Sequence, residues 1–403
     1  MGIGGRHGGD TYVMAMAAAS SAAPAVTRAA SRDAYLDLIR SWAILRVVSV
    51  HLLGMAPVAL LWWPAPTFVA PGMPLVFFVS GALALKSLDP WRPRHATGRA
   101  FWHDRLRRLL IPFWVYLAIA LSVTIVLDLM HSEEAFTVSW LRSALSAIPL
   151  INPINSPAGF LGMAHLWFLV VICWLLLLAP ALVWLHRRTP RLLLAGSMGL
   201  LVGVSYLTEH TTTFVYAEVN SVSLFQFFFV LGFWYTDGRL VGGVVPARPR
   251  GLFDGWGGVG VAALAFPAAW LVWQIELPLA VHDSALVHAF LGLGWLSLLL
   301  VARPAVLRLA EAMPRLLNRL TRRTLTIYLW GWPTTALADL AVNSWGLTGP
   351  VAVVAFFTLA VGGLVVAVLM FGRVEDFAAG RVAQRSRDRR AADTPSATVP
   401  VAG

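Results

Sequence analysis

Apolar runs about 20 residues long, separated by short polar stretches, organise most of this chain. They fall at 36–56, 69–88, 109–130, 164–185, 191–209, 220–238, 256–275, 284–302, 323–342 and 350–372. A helix of that length rises roughly 30 Å, the thickness of a bilayer's hydrocarbon core. The runs do not alternate with period two, so a transmembrane β-barrel is not expected. The pattern predicts an all-α polytopic membrane protein of about ten transmembrane helices. The runs at 191–209 and 256–275 are the least uniform, because each holds several glycines. On this reading residues 1–33 form a disordered tail, 34–373 the membrane domain and 374–403 a second, basic disordered tail. Val13 to Ala19 is too short, and wrongly flanked, for a signal peptide. In the longest outer loop, 131–163, Ser139 to Ile148 suits a short surface helix, and Asn152-Pro153 and Ser156-Pro157 mark turns.

Composition narrows the class. Of 403 residues, 58% are hydrophobic and 13% charged. A soluble domain carries about 25% charged residues, so an ordinary soluble enzyme is excluded. The net charge is +11, almost all of it arginine, with Lys86 the only lysine. These arginines sit between the apolar runs, which is a membrane-topology pattern rather than a nucleic-acid patch. With the N-terminus inside, the inner segments hold nearly all of them. Arg142 is the exception, and the outer loops carry Glu133, Glu134, Glu209, Glu218, Glu276 and Asp283 instead. The positive-inside rule therefore predicts an even number of spans with both termini cytoplasmic. The Arg-rich C-terminal tail suits anionic headgroups. Cys173 is the only cysteine, so neither an intramolecular disulfide nor a cysteine-cluster metal site is expected. No metal-binding or nucleotide-binding motif is seen either.

The first run places Asp37, Arg40, Arg46 and His51 inside one apolar helix. An arginine near the centre of a span costs about 2.5–3.5 kcal/mol on insertion scales, so it calls for a reason. Eleven residues separate Arg40 from His51. That is close to three turns, which puts them on one face roughly 16 Å apart. Asp37, one turn before Arg40, is placed to pair with it. Arg46 is expected to point off this face. Ser80-Gly81 marks a close approach between helices. His165 reads as a plain interfacial histidine and Cys173 as core. Tyr328 and Asp339 share a helical face, with Asp339 on the side of His51 and a candidate to orient it. His7, His95, His103, His131 and His282 read as loop residues.

Leu36-Asp37-x-x-Arg40, followed by ten residues and His51, resembles the first helix of the membrane-bound acyltransferase-3 family. Four further stretches resemble that family in the same order. They are Pro74 to Leu83, with phenylalanines running into Ser80-Gly81; Arg105 to Pro112; His165-Leu166-Trp167-Phe168-Leu169; and Ile327-Tyr328-Leu329-Trp330. The family's late stretch commonly ends in histidine, and here that position is Gly331. The resemblance implies an O-acyltransferase that moves an acyl group, acetyl being the simplest, from cytoplasmic acyl-CoA to a hydroxyl of a glycan, glycolipid or glycosylated small molecule. His51 is then the general base, with Arg40 and Asp37 beside it. Arg105, Arg108, Ser80 and Tyr328 fall on the donor side, since arginine forks match phosphate. The implied partners are acyl-CoA, the sugar acceptor and the lipid bilayer, with no nucleic acid and no metal. The implied location is a bacterial plasma membrane. A transporter or flippase of a lipid-linked or glycosidic substrate is the competing class, because buried charges also line transport paths. An inactive relative that only binds glycan or acyl-CoA is the third.

Overall fold

A computed structural model of the protein describes residues 33–57, 72–88, 98–131, 147–151, 162–209, 214–245, 248, 250–275 and 284–380. Among these residues there are helices and no strands. We number them α1 (Ala34–Met55), α2 (Met73–Ser87), α3 (Gly98–His131), α4 (Trp167–Arg188), α5 (Pro190–Glu209) and α6 (Phe214–Thr236), continuing with α7 (Trp256–Ile275), α8 (Ala285–Val301), α9 (Arg303–Ala312), α10 (Pro314–Ser344) and α11 (Gly349–Ala378). A short 3₁₀ turn, Ala164–Leu166, leads into α4.

Each expected span overlaps one helix. By length and apolar character, however, seven of the described helices suffice to cross a membrane, or eight if α8 and α9, bent by 71°, count as one span. The shortfall lies in α2 and α10. The 15 residues of α2 rise only about 22 Å. α10 has 31 residues, but its first turns carry Arg315, Arg319, Arg322 and Arg323. These two helices flank α1, and protein covers most of α2 and the middle of α10, whereas Leu316, Leu337 and Leu340 near the ends of α10 are exposed. α2 also packs on α6, and α10 on α11. Helices such as α5, α7 and α11 instead turn leucines outward. Leu192, Leu264 and Leu369 are 71%, 77% and 73% exposed, a surface suited to lipid rather than water.

Local sequence explains the ends and crossings. Proline opens α2, α9, α10 and α11 within their first two positions, where its missing N–H is not needed. Pro112, Pro180, Pro267 and Pro333 lie inside helices, as membrane helices tolerate. The Ser284 hydroxyl caps α8 by accepting from the Val287 N–H at 3.1 Å. At the α2–α6 crossing a Cβ on Gly81 would run into the Phe229 carbonyl, and one on Gly232 into the Phe78 carbonyl. The expected close approach at Ser80-Gly81 is therefore present, with Gly232 as its partner.

Two expected boundaries move. α11 continues beyond 373, to Ala378, so the first residues assigned to the tail are helical. His103 and His131 lie within α3 rather than in a loop. Most of the surface helix expected at 139–148, together with His7, His95 and His282, lies outside the described residues.

Candidate active site

Five of the residues singled out in the sequence meet in one cavity of about 190 Å³: Arg40 on α1, Ser80 on α2, Arg105 and Arg108 on α3, and Tyr328 on α10. Phe168, Ile172 and Leu176 of α4 form an apolar wall, and Thr321 and Thr324 of α10 add hydroxyls. The cavity exists because α1, α2, α3, α4, α10 and α11 each present one side to it. Among the described residues its cations are Arg40, Arg105 and Arg108, and its one lining acid is Glu375 of α11. Three guanidinium groups against one carboxylate make it attractive to a multiply charged anion.

The side chains are held in different ways. Arg105 donates to the Leu83 carbonyl at 3.1 Å and to the Ser87 hydroxyl, which ties α3 to the end of α2. A guanidinium has five N–H donors, so this leaves several for a ligand. Arg108 is exposed and marks where the cavity opens. Ser80 donates its hydroxyl to Val76 of its own helix at 2.8 Å. Tyr328 donates to the backbone carbonyl of His165. Thr321 bridges toward α1 through a hydroxyl pair with Ser41 at 3.2 Å.

Sequence reasoning missed Glu375, which had been assigned to the tail. It is buried, and its carboxylate accepts from the Thr326 hydroxyl at 2.7 Å and from the Thr326 N–H at 3.3 Å. Arg40 and Arg323 both act on its charge. Its neighbour Asp376 pairs with Arg323 at 2.7 Å. The sequence offers one signal for them that this reasoning did not use, two adjacent acids in an otherwise Arg-rich segment.

His51 and Asp37 do not line the cavity. His51 lies further along α1, edge-on to Trp332 of α10 with ring centroids 4.9 Å apart. Arg46 and His165 lie within electrostatic reach of it. Two expectations change here. Arg46, expected to point off the His51 face, is nonetheless a charge that acts on His51. Asp339, proposed to orient His51, is not among the charges acting on it. His165 also departs from the interfacial reading: it is only 4% exposed. Its ring is met edgewise by Tyr116 at 5.6 Å and Tyr328 at 5.3 Å. Cys173 is core, as expected. At Gly331 a Cβ would stand 2.7 Å from Val48 Cγ2, so α1 closes over the position where the family's late histidine falls.

Multiple apolar helices, packed around an internal cavity lined by three arginines, define a polytopic membrane protein. The chain belongs to the acyltransferase-3 family: the family model described as an acyltransferase domain matches residues 33–372. Membership implies an acyltransferase working in a membrane. No curated protein and no solved structure matches the chain.

Proposed function

We propose that the protein is a membrane O-acyltransferase that takes an acyl group, acetyl in the simplest case, from cytoplasmic acyl-CoA and places it on a hydroxyl of a glycan, glycolipid or glycosylated small molecule. The observation that carries this reading is the meeting of Arg40, Arg105 and Arg108 in one cavity whose open side is at Arg108. CoA brings several phosphate charges, and paired guanidinium N–H groups bind phosphate with both charge and shape. From Arg40 to His51 the helix rises roughly 16 Å. A donor whose phosphates rest on the arginines therefore extends its thioester arm along α1 toward His51.

The chemistry asks little more of the chain. The acceptor hydroxyl attacks the thioester carbonyl as His51 takes its proton; the C–O bond forms, the C–S bond breaks, and the proton passes to the departing sulfur. His51 has the residue type and place for that role, enclosed beside Trp332. Ten crossings, with both termini on the cytoplasmic side of a bacterial plasma membrane, bring the arginine end of the cavity to the compartment that holds acyl-CoA.

The test is transfer of label. Membranes containing the protein are incubated with acetyl-CoA labelled in the acetyl group, and alkali-labile acetyl esters are sought in the glycan and lipid fractions. Label that depends on the protein supports the reading. Movement of a glycosidic substrate across vesicles with no ester formed favours the transporter class instead.

A further inference from the structure

His165 is the polar group the proposed chemistry leaves unexplained. It is 4% exposed, and neither Nδ1 nor Nε2 meets full hydrogen-bond geometry with a partner among the described residues, although the Leu329 backbone lies close enough to act on the ring. An uncharged imidazole carries one N–H donor and one acceptor. Leu329 can serve one ring nitrogen at most, so at least one bond is left unmade in the interior, a defect that native structures retain where a ligand, water or reacting group completes it. The ring is also firmly placed. Tyr116 and Tyr328 pack edgewise on it. The Tyr328 hydroxyl holds the His165 carbonyl, and the Tyr116 hydroxyl holds that of Gly162 just before it. A 3₁₀ turn, Ala164–Leu166, fixes the backbone between them.

The ring does not itself line the arginine cavity, but its neighbours connect it to that cavity and to His51. Tyr328 lines the arginine cavity on one side and touches His165 on the other. One turn later on α10, Trp332 touches His51. Between them, Gly331 is closed off by Val48, so no side chain from that position reaches the space. The groups acting on His165 from the packed elements are His51 of α1, Tyr116 of α3, and Tyr328 and the Leu329 backbone of α10; Arg46 acts on His51 rather than on His165.

We infer that His165 is a second substrate-contacting residue of the acyl transfer, its ring N–H donating to the thioester carbonyl oxygen as that oxygen becomes an oxyanion. This rests on the acyl-transfer reading and adds a separate role to it. His51 takes the hydroxyl proton and the carbonyl carbon gains the C–O bond. The carbonyl oxygen carries the negative charge against the His165 N–H. Collapse then restores C=O, expels the thiolate and returns the proton from His51 to sulfur. A donor aimed at developing charge in a water-poor site acts chiefly on turnover.

The experiment uses the full chain in membranes with labelled acetyl-CoA, comparing wild type, His51→Gln, His165→Phe, His165→Gln and His165→Leu. Phenylalanine fills the aromatic slot without a donor, and glutamine restores an N–H. Loss of one such donor lowers turnover about 10²–10³-fold. We expect that loss in His165→Phe, with KM for acetyl-CoA and the melting temperature within twofold and a few degrees of wild type, and partial recovery in His165→Gln. His165→Phe turning over within about threefold of wild type while His51→Gln is inactive overturns the role of His165 alone. Near-normal turnover of His51→Gln overturns the reading beneath it. If His165→Phe melts early, the glutamine variant decides: a folded His165→Gln with no more activity than His165→Leu contradicts the donor role.

Discussion

Arg105 and Arg108 stand three residues apart on α3 and line the same cavity, but the structure assigns them different dependencies. Arg105 donates to the Leu83 carbonyl and to Ser87. Arg108 is exposed and makes no hydrogen bond to the protein among the described residues. Replacing Arg108 with alanine therefore removes only what it offers a ligand. A hydrogen bond to a charged group contributes about 1.5–3 kcal/mol, and solvent screening at an exposed position favours the lower end. Each 1.4 kcal/mol is tenfold in affinity. Arg108→Ala is thus expected to weaken CoA binding about tenfold at unchanged melting temperature. Arg105→Ala removes the ligand's bond and the tie to α2 as well. Leu83 keeps the Ser87 hydroxyl as a second donor, so the added loss of stability is about 1 kcal/mol, the low end for an unpaired group. The assay is calorimetric titration of CoA into protein in lipid nanodiscs, with melting curves on the same samples and titrations repeated at higher salt. Unchanged CoA affinity in the double variant would refute the reasoning and leave both arginines as determinants of topology.

Three further outcomes follow from particular contacts. Gly331→Ala puts a Cβ 2.7 Å from Val48 Cγ2 and should cost about 1–3 kcal/mol by overpacking; adding Val48→Ala should recover most of the melting temperature, and no recovery would show that this is not the limiting contact. Reporter fusions after Arg142 and after Arg319 should fall on opposite sides of the membrane, and finding both on one side would contradict the ten-span arrangement. Burial raises the Asp237 carboxyl, but the His186 ring 2.9 Å away, together with Arg239, outweighs it and holds the group below its usual value. Stability from Asp237 is then complete above a carboxylate's ordinary pKa of about 3.9 and is lost as pH falls toward the folded value, so Asp237→Asn should flatten the acid limb of the melting-temperature profile; an unchanged limb would rule the pairing out as its source.

The parts of the site that could be read from sequence are those where a charge stands against an apolar background. Arg40 and His51 interrupt one hydrophobic helix, and Arg105 and Arg108 precede another, so their types and spacing were enough to choose them. Glu375 was not legible, because it belongs to a polar, arginine-bearing stretch that looks like the start of a tail. The helix continues there because Arg323 of α10 takes the Gly372 carbonyl and the Asp376 carboxylate, a tertiary fact. His165 sits at the edge of an apolar run, where a surface histidine and a buried one share the same local sequence; Tyr116 and Tyr328, far away in the chain, decide between them. Arg46 is five residues from His51, roughly 140° around the helix, so the spacing gives no sign that its charge acts on His51. The same limit applies to α10, whose arginines and threonines lower its apolar character because protein rather than lipid surrounds its middle.

The central claim is that this chain transfers an acyl group with His51 as the proton acceptor, and turnover of His51→Gln tests it most directly. Glutamine keeps a hydrogen bond and similar bulk but cannot take up the proton. With labelled acetyl-CoA and native membranes as the source of acceptor, a general base accounts for about 10²–10⁴-fold in rate. The account predicts a loss of that size while CoA affinity and the amount of folded protein stay unchanged. Near-normal turnover by His51→Gln would contradict it and make His51 a structural partner of Trp332.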